Sequence, residues 1–238
     1  MTRTPVWKEI ANTLERDIAA GHYGPGDKLP TESALSARFG VNRHTVRRAL
    51  ADMSERGILR SRRGAGVFVE APPADYPIGR RVRFHQNVRA TGRLPQKQVL
   101  RVEVRPGDAT ECKALGLKPG TPVVVYEGLS LANATPIAHF QSIFPEPRLP
   151  GLPATLAETP SVTEALRLNG VPDYVRAETR LTAERASATQ ALHLRLREGD
   201  PLLKTVGINT ELDGTPVEYG LTWFAGDRVT LTVSSEDS

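Results

Sequence analysis

Hydrophobic spacing along the first seventy residues changes period once, from helical to strand-like. Val6, Ile10, Leu14 and Ile18 recur every four positions, which places them on one stripe of an α-helix. Pro5 suits the first turn and Gly21 the C′ position, so a helix is predicted over 5–21. Gly24-Pro25-Gly26-Asp27 then reads as a turn. A second, short helix is expected to open with Thr31 as N-cap, bury Leu35 and Phe39, and stop at Gly40. A third opens with Asn42 as N-cap and ends at Gly57. Its Val46, Ala49, Leu50 and Met53 share one face, with His44, Arg47 and Arg48 pointing away. The pattern then shortens: Ile58-Leu59 and Val67-Phe68-Val69 flank a basic, glycine-rich tip, the signature of a hairpin.

Only Gly40-Val41 separates the second and third helices, so they form a helix-turn-helix. Followed by a basic hairpin, this makes a winged helix-turn-helix over 1–70, mainly α with a β wing. Its third helix is shaped to enter the major groove of DNA, with the wing along phosphates or in the minor groove. Arg43 and Arg47 can donate bidentate hydrogen bonds to guanine, and His44 and Thr45 can reach base edges or phosphates. Arg48, and Thr31 at a helix N-terminus, suit phosphate. Arg62, Arg63, Gly64 and Gly66 form the wing tip, where missing side chains allow close backbone approach.

Charge sharpens this picture once it is divided. The 238 residues carry 31 basic and 27 acidic side chains, a net charge of +4. Residues 1–70 hold 12 Lys/Arg against 8 Asp/Glu, and 71–238 hold 19 against 19. Arg38–Arg63 alone contains eight arginines against Asp52 and Glu55. Such a segment suits a polyanion partner, although charge by itself also fits a solvated helix face.

Ala71-Pro72-Pro73-Ala74-Asp75-Tyr76-Pro77 reads as a proline-rich, semi-rigid linker over 71–77. Residues 78–238 are enough for a second core. Within them the chain repeats itself. Leu115–Val124 resembles Leu194–Leu203 at an offset of 79 residues, and Thr135–Phe144 resembles Thr215–Phe224 at an offset of 80. Each copy reads as short helix, turn, strand, tight turn and returning strand, with Asp213-Gly214 a strong hairpin signal. Val123, Val125, Leu129 and Leu131 mark one face of an alternating strand, interrupted by Glu127. Ser161-Val162-Thr163-Glu164 is a capping box opening a helix that ends before Gly170. The expectation is an α+β domain with an antiparallel sheet and a pseudo-two-fold axis.

Several stretches resemble a known family. Pro5–Ile10, Gly26–Glu32, Phe39–Leu50 and Arg63–Val69 are similar to the N-terminal domain of GntR transcription factors. That resemblance implies operator contact by Arg43, His44, Thr45 and Arg47 and by the Arg63-Gly64 wing tip. Some members carry an arginine after the glutamate of the second helix, where this chain has Ser33. From about Tyr76 to Val233 the chain resembles the UTRA effector-binding domain of the HutC subfamily, which shares its fold with chorismate lyase. Val41–Thr45, Asp75-Tyr76-Pro77, Arg83–Asn87, Arg105-Pro106 and Thr179–Ala186 are similar to the PhnF-like group, which represses phosphonate metabolism.

An anionic effector requires positive charge and oriented donors in a partly desolvated pocket. Arg83, His85, Gln86 and Asn87 supply these where a helix is expected to begin. Arg180, on an alternating segment with Val175 and Leu181, is expected to point into the domain. The UTRA resemblance adds Ser142, Glu218 and Tyr219 on the repeated hairpins. It also sets Phe140 where sugar-sensing relatives carry glutamate, which favours a small phosphorus-containing anion such as an alkylphosphonate over a sugar phosphate. A sugar phosphate or amino-acid derivative stays open as the alternative.

Other classes fall away. His22, His44, His85, His139 and His193 lack metal-ligand spacing, and no nucleophile elbow or phosphate-binding loop is present. Neither catalysis, a cofactor nor a metal is expected. The single cysteine excludes a disulfide framework within one chain. No apolar run reaches the ~18 residues of a membrane span, and the N-terminus lacks a signal-peptide core, so a cytoplasmic protein is expected. The expected partners are double-stranded operator DNA with an inverted repeat, a small anionic effector and a second copy of the chain.

Overall fold

The computed structural model describes residues 5–62, 64–70, 73–80, 84, 88–89, 94–159 and 161–233. The chain forms two compact units, Met1–Pro72 and Pro73–Ser238.

In the first unit, α1 (Val6–Ala19), α2 (Glu32–Phe39) and α3 (Arg43–Glu55) precede an antiparallel hairpin of β1 (Leu59–Arg62) and β2 (Gly66–Val69). The helix signals act where the sequence places them. Thr31 Oγ1 accepts from the Ala34 amide at 3.2 Å, and Asn42 Oδ1 accepts from the Thr45 amide at 2.9 Å. Gly40 ends α2 in the left-handed region at φ 63°. Ile10 and Leu14 of α1, Leu35 of α2 and Val46, Ala49, Leu50 and Met53 of α3 close one core with Leu29, Leu59 and Val69. The backbone of Lys28 bridges to Phe68, adding a short third segment to the wing.

The second unit is built on a six-stranded antiparallel sheet of order β4-β5-β6-β9-β8-β7. Its strands are β4 (Pro95–Pro106), β5 (Pro122–Ala132), β6 (Thr135–Pro145), β7 (Val175–Arg185), β8 (Pro201–Thr210) and β9 (Pro216–Ala225). The duplication is visible in the register. Gln141 and Leu221, equivalent in the two copies, face each other across the central β6–β9 pair, so the pseudo-two-fold passes between them. Helices α4 (Ala109–Ala114) and α7 (Ala188–Leu194) precede the two hairpins. Both open with reciprocal capping boxes at equivalent places, Asp108 with Glu111 and Ser187 with Gln190.

Helices α5 (Leu152–Glu158) and α6 (Val162–Leu168) pack on the sheet face that carries Val124, Tyr126, Phe140 and Phe144. The other face holds Val123, Val125, Ile143 and Tyr219 beside Leu115.

Three expectations need correction. Pro73 begins the second unit, and Ala74–Pro77 is not linker but strand β3, paired in parallel with β10 (Val229–Thr232). Ala74 and Tyr76 are buried, so alternation outweighs the proline content, and Pro77 at the strand end costs no internal ladder bond. β5 is buried on both faces, Val124 and Tyr126 as fully as Val123 and Val125, because helices or loops cover each side of the sheet. At α6, Ser161 Oγ accepts from the Glu164 amide at 3.3 Å, but the Glu164 carboxylate pairs with Arg167 at 2.6 Å instead of completing a box.

Candidate functional site

On α3, Arg43, His44, Arg47 and Arg48 are exposed and Thr45 is half-buried. Their engagements differ. Arg43 donates to Ser33 Oγ at 3.1 Å, so the serine that stands where some members carry arginine holds the first arginine of α3. Arg47 forks onto Glu32, Nε to Oε1 at 3.0 Å and a terminal nitrogen to Oε2 at 2.7 Å. That hydrogen bond holds the Glu32 carboxyl below the usual carboxylate range. Thr45 spends its hydroxyl on Asn42 Oδ1 at 3.0 Å. Arg48 lies over the Trp7 ring at 4.8 Å, turned toward α1.

In the wing, Gly64 and Gly66 adopt φ 78° and 116°, and Arg62 pairs with Gly66 across the hairpin. Arg63 lies outside the described residues. Sequence reasoning missed Lys28: it is exposed, and its stem crosses Gly66 so closely that a Cβ there would come within 2.7 Å of Lys28 Cε.

The second unit contains a cavity of about 310 Å³. Ser142 and Glu218 meet in it, as expected, with partners the sequence did not reveal. Ser142 Oγ donates to Glu218 Oε1 at 2.6 Å, Asn209 Nδ2 donates to Oε2 at 2.6 Å, and Arg176 Nε donates to Asn209 Oδ1 at 2.8 Å. Gly207 lets the Arg176 guanidinium lie against β8, because a Cβ there would fall 1.6 Å from a guanidinium nitrogen. Lys97 Nζ stands 4.5 Å from the Phe140 ring centre and 5.4 Å from that of Tyr126. Burial pushes the Lys97 ammonium down to about 8, with Glu218 opposing the shift. Thr179 Oγ1 also lines the cavity, buried and with no hydrogen-bond partner among the described residues.

Lys97 and Arg176 occupy equivalent positions in the duplication. Lys97 pairs with Ser130 on β5, Arg176 with Asn209 on β8, and all four line the cavity. The signal was present in the 79-residue offset, but the resemblance used to find it began downstream of both strands.

Two expected residues lie elsewhere. Tyr219 follows Glu218 on β9, and neighbours on a strand point to opposite faces. It packs with Val123, Val125 and Ile143 on the reverse of the sheet. Arg180 alternates in the same way with Thr179: its side chain is 76% exposed and pairs with Glu178 at 2.5 Å rather than entering the domain. Of the 83–87 segment, Phe84 lines the cavity, while Arg83, His85, Gln86 and Asn87 lie outside the described residues. Among the described residues no group of three or more His, Cys, Asp or Glu side chains is arranged to hold a metal ion, and no helix is long and apolar enough to cross a membrane.

Comparison with known proteins follows the same division. Residues 7–69 match the model of bacterial regulatory proteins of the gntR family, and residues 90–230 match the UTRA domain. The chain belongs to the GntR family of regulators, with a UTRA domain. An uncharacterized HTH-type transcriptional regulator of Rhizobium meliloti is 36% identical over 231 residues, covering 97% of this chain and 95% of its own. The "Probable transcriptional regulator PhnF" of Escherichia coli is 33% identical over 229 residues, covering 95% and 94%. The crystal structure of PhnF from Mycobacterium smegmatis superposes with a TM-score of 0.64 at 22% identity, over 94% of this chain and 98% of that one; it shows the shared fold. GntR regulators bind operator DNA through the helix-turn-helix, and UTRA domains bind small effectors. The family regulates transcription and is not an enzyme family.

Proposed function

We propose that this GntR regulator is a homodimeric repressor of phosphonate uptake or metabolism genes, released or modulated by a small phosphorus-containing anion bound in the 310 Å³ cavity. The observation that carries the reading is the convergence of Lys97 and Arg176, from equivalent strands, on one cavity lined by serine and threonine hydroxyls. Two cations over a partly desolvated site with hydroxyl donors suit a tetrahedral oxyanion. Phe140 gives an alkyl group an apolar wall, and Glu218 gives an acceptor to a hydroxyl or ammonium on the ligand. The similarity to the E. coli protein named PhnF supports the phosphonate assignment. On DNA, Arg43 and His44 read bases, Arg47 is held ready by Glu32, and Lys28 joins the wing in neutralising phosphates. A two-fold dimer reads an inverted repeat. The effector acts by preferring one arrangement of the dimer, and differential affinity worth a few kcal/mol suffices.

The test is a thermal-shift panel of methylphosphonate, 2-aminoethylphosphonate, inorganic phosphate and glucosamine 6-phosphate, repeated with Lys97→Ala and Arg176→Ala, and followed by operator release. Stabilisation by a phosphonate, lost in both variants, supports the proposal. Stabilisation by the sugar phosphate alone transfers the protein to the sugar-sensing branch. No response to any phosphorus compound refutes the anion site.

A further inference from the structure

Two lysines of the sheet lie over aromatic rings, and they differ in what else they meet. Lys204 Nζ stands 5.5 Å from the Trp223 ring centre and pairs with Glu184 at 2.8 Å. Lys97 Nζ has three rings around it, Phe140 at 4.5 Å, Tyr126 at 5.4 Å and Phe84 at 5.8 Å. Among the described residues no carboxylate lies within ion-pairing distance of it. A cation so placed gains from the ring faces but gives up water. Its ammonium is accordingly brought down to about 8. At about pH 7.5 roughly one molecule in four then carries the neutral amine, against about one in a thousand for an exposed lysine. A desolvated amine of this kind is a nucleophile toward carbonyl carbon.

The same cavity holds a second handle. Thr179 pairs with Gly207 in the β7–β8 register, and the Arg176 guanidinium lies against that same glycine. Asn209 occupies only Arg176 Nε, which leaves the terminal nitrogens for a ligand, and Thr179 Oγ1 is buried with no hydrogen-bond partner among the described residues. Charge and hydroxyl together make an oxyanion subsite on β7, whereas Lys97 enters from β4 among rings. We propose that the cavity takes a bifunctional ligand, an aldehyde or ketone that also carries a phosphonate or phosphate group, and that Lys97 holds its carbonyl carbon as a reversible imine while Arg176 and Thr179 hold the oxyanion. The step needs no oxidant or cofactor. The Nζ lone pair adds to the carbonyl carbon as the C=O π pair moves onto oxygen. Two of the three ammonium protons pass to that oxygen, which departs as water, and a C=N bond takes its place. The third proton stays, so the iminium keeps its positive charge beside the Phe140 ring. Glu218 is the carboxylate of the cavity lining and can relay the protons. Holding the oxyanion keeps the carbonyl at the amine, so an imine that is weak in free solution persists. Hydrolysis returns ligand and lysine unchanged, as a sensor requires.

This inference rests on the proposed anion site, and the experiment separates the two. The full chain is incubated with 2-oxoethylphosphonate and cyanoborohydride, which reduces an imine to a stable secondary amine, and the labelled lysine is located by peptide mass mapping. Acetaldehyde supplies the carbonyl without the anion, and methylphosphonate the anion without the carbonyl. Lys97 is expected to label at a concentration at least roughly tenfold below that needed for exposed Lys8 and Lys118. It should lose that preference with acetaldehyde and be protected by methylphosphonate. The ratio of Lys97 to Lys8 labelling should hold steady below about pH 8 and fall above it, a profile that a lysine of ordinary basicity does not give. Lys97→Arg keeps the positive charge and cannot form the imine, so it should still bind methylphosphonate and take up no label in the cavity. If methylphosphonate binds but Lys97 labels no more readily than Lys8, the imine is overturned and the anion site stands. If Lys97 labels selectively with both aldehydes and methylphosphonate gives no protection, the anion site is overturned, and the bifunctional ligand with it. Neither binding nor selective labelling overturns both.

Discussion

Replacing Lys97 by methionine is expected to stabilise the effector unit while removing its anion affinity. The structure supplies the magnitude. Burial lowers the Lys97 ammonium from 10.5 to about 8, so keeping it charged in the folded state costs about 3 kcal/mol. The cost is present at every pH below about 8. Methionine avoids it with a side chain of similar length that suits an irregular apolar space. The attraction to Glu218 is already contained in that cost, so the variant further loses only the ammonium's contact with the Phe140 ring, worth ~1 kcal/mol, and the net gain at pH 7 is about 2 kcal/mol. Anion affinity should fall at least roughly tenfold, the scale of one lost charge-assisted hydrogen bond.

The pH dependence gives a second check with a definite sign. Between about pH 8 and 10.5 the unfolded chain holds a proton on Lys97 that the folded chain has released, so wild-type stability receives a rising contribution across that window. Lys97→Met lacks it. Phosphate binding runs the other way, because the ligand needs the protonated ammonium: wild-type affinity falls as pH rises from 8 to 10, and the variant's low affinity does not follow. Urea titration in a Trp7→Phe background, where Trp223 is the remaining tryptophan, reports this unit. A variant less stable than wild type at pH 7, or a wild-type phosphate affinity flat from pH 8 to 10, would refute the account of Lys97 as a half-buried, desolvated ammonium held for a ligand.

Arg43→Ala should cost about 1–3 kcal/mol of operator affinity and much less on unrelated DNA, measured by fluorescence anisotropy; unchanged sequence preference would exclude α3 as the reading helix in this orientation. Gly66→Val should destabilise the first unit by roughly 1–3 kcal/mol, since it combines φ 116° with a Cβ 2.7 Å from Lys28 Cε; a melting temperature within a degree of wild type would show that the wing backbone relaxes freely. Arg180→Ala and Tyr219→Phe should leave effector affinity within about twofold, because neither residue lines the Lys97 cavity; a tenfold loss in either would place the ligand on the reverse of the sheet.

The DNA-binding unit was legible in the sequence nearly residue by residue. Its signals are local: an N-cap acts on amides two or three positions away, a C′ glycine on its own φ, and a period-four stripe on a single helix. Thr31, Gly40 and Asn42 therefore did in three dimensions what they indicated in one. What the sequence hid there was pairing between helices, Arg47 with Glu32 and Arg43 with Ser33, which depends on how α2 and α3 cross. The cavity of the second unit was legible only in part for the same reason. Arg176, Asn209, Glu218 and Ser142 come from four strands, and their chain of hydrogen bonds exists only once the sheet has assembled. The errors at Tyr219 and Arg180 have a simpler cause. Each was grouped with a residue adjacent on a strand, whereas a strand reverses side-chain direction at every step.

Parity and duplication together predict that the cavity prefers an asymmetric ligand. The pseudo-two-fold through Gln141 and Leu221 supplies similar cations from both halves, Lys97 from one and Arg176 from the other, and similar hydroxyls in Ser142 and Thr222. Elsewhere the halves have diverged. The residue equivalent to Glu218 is Ala138, and the residue equivalent to Phe140 is Gly220. One half therefore contributes a carboxylate and the other an aromatic ring, both lining the same cavity. A symmetric oxyanion would satisfy the paired cations, and would leave unused the Phe140 ring and whatever acceptor capacity Glu218 keeps beyond Ser142 and Asn209. A phosphonate whose carbon substituent lies along Phe140 and whose far end carries a donor for Glu218 uses every group. The ranking that follows is aminoalkylphosphonate above methylphosphonate above phosphate, and Glu218→Gln should narrow the first gap without touching the second.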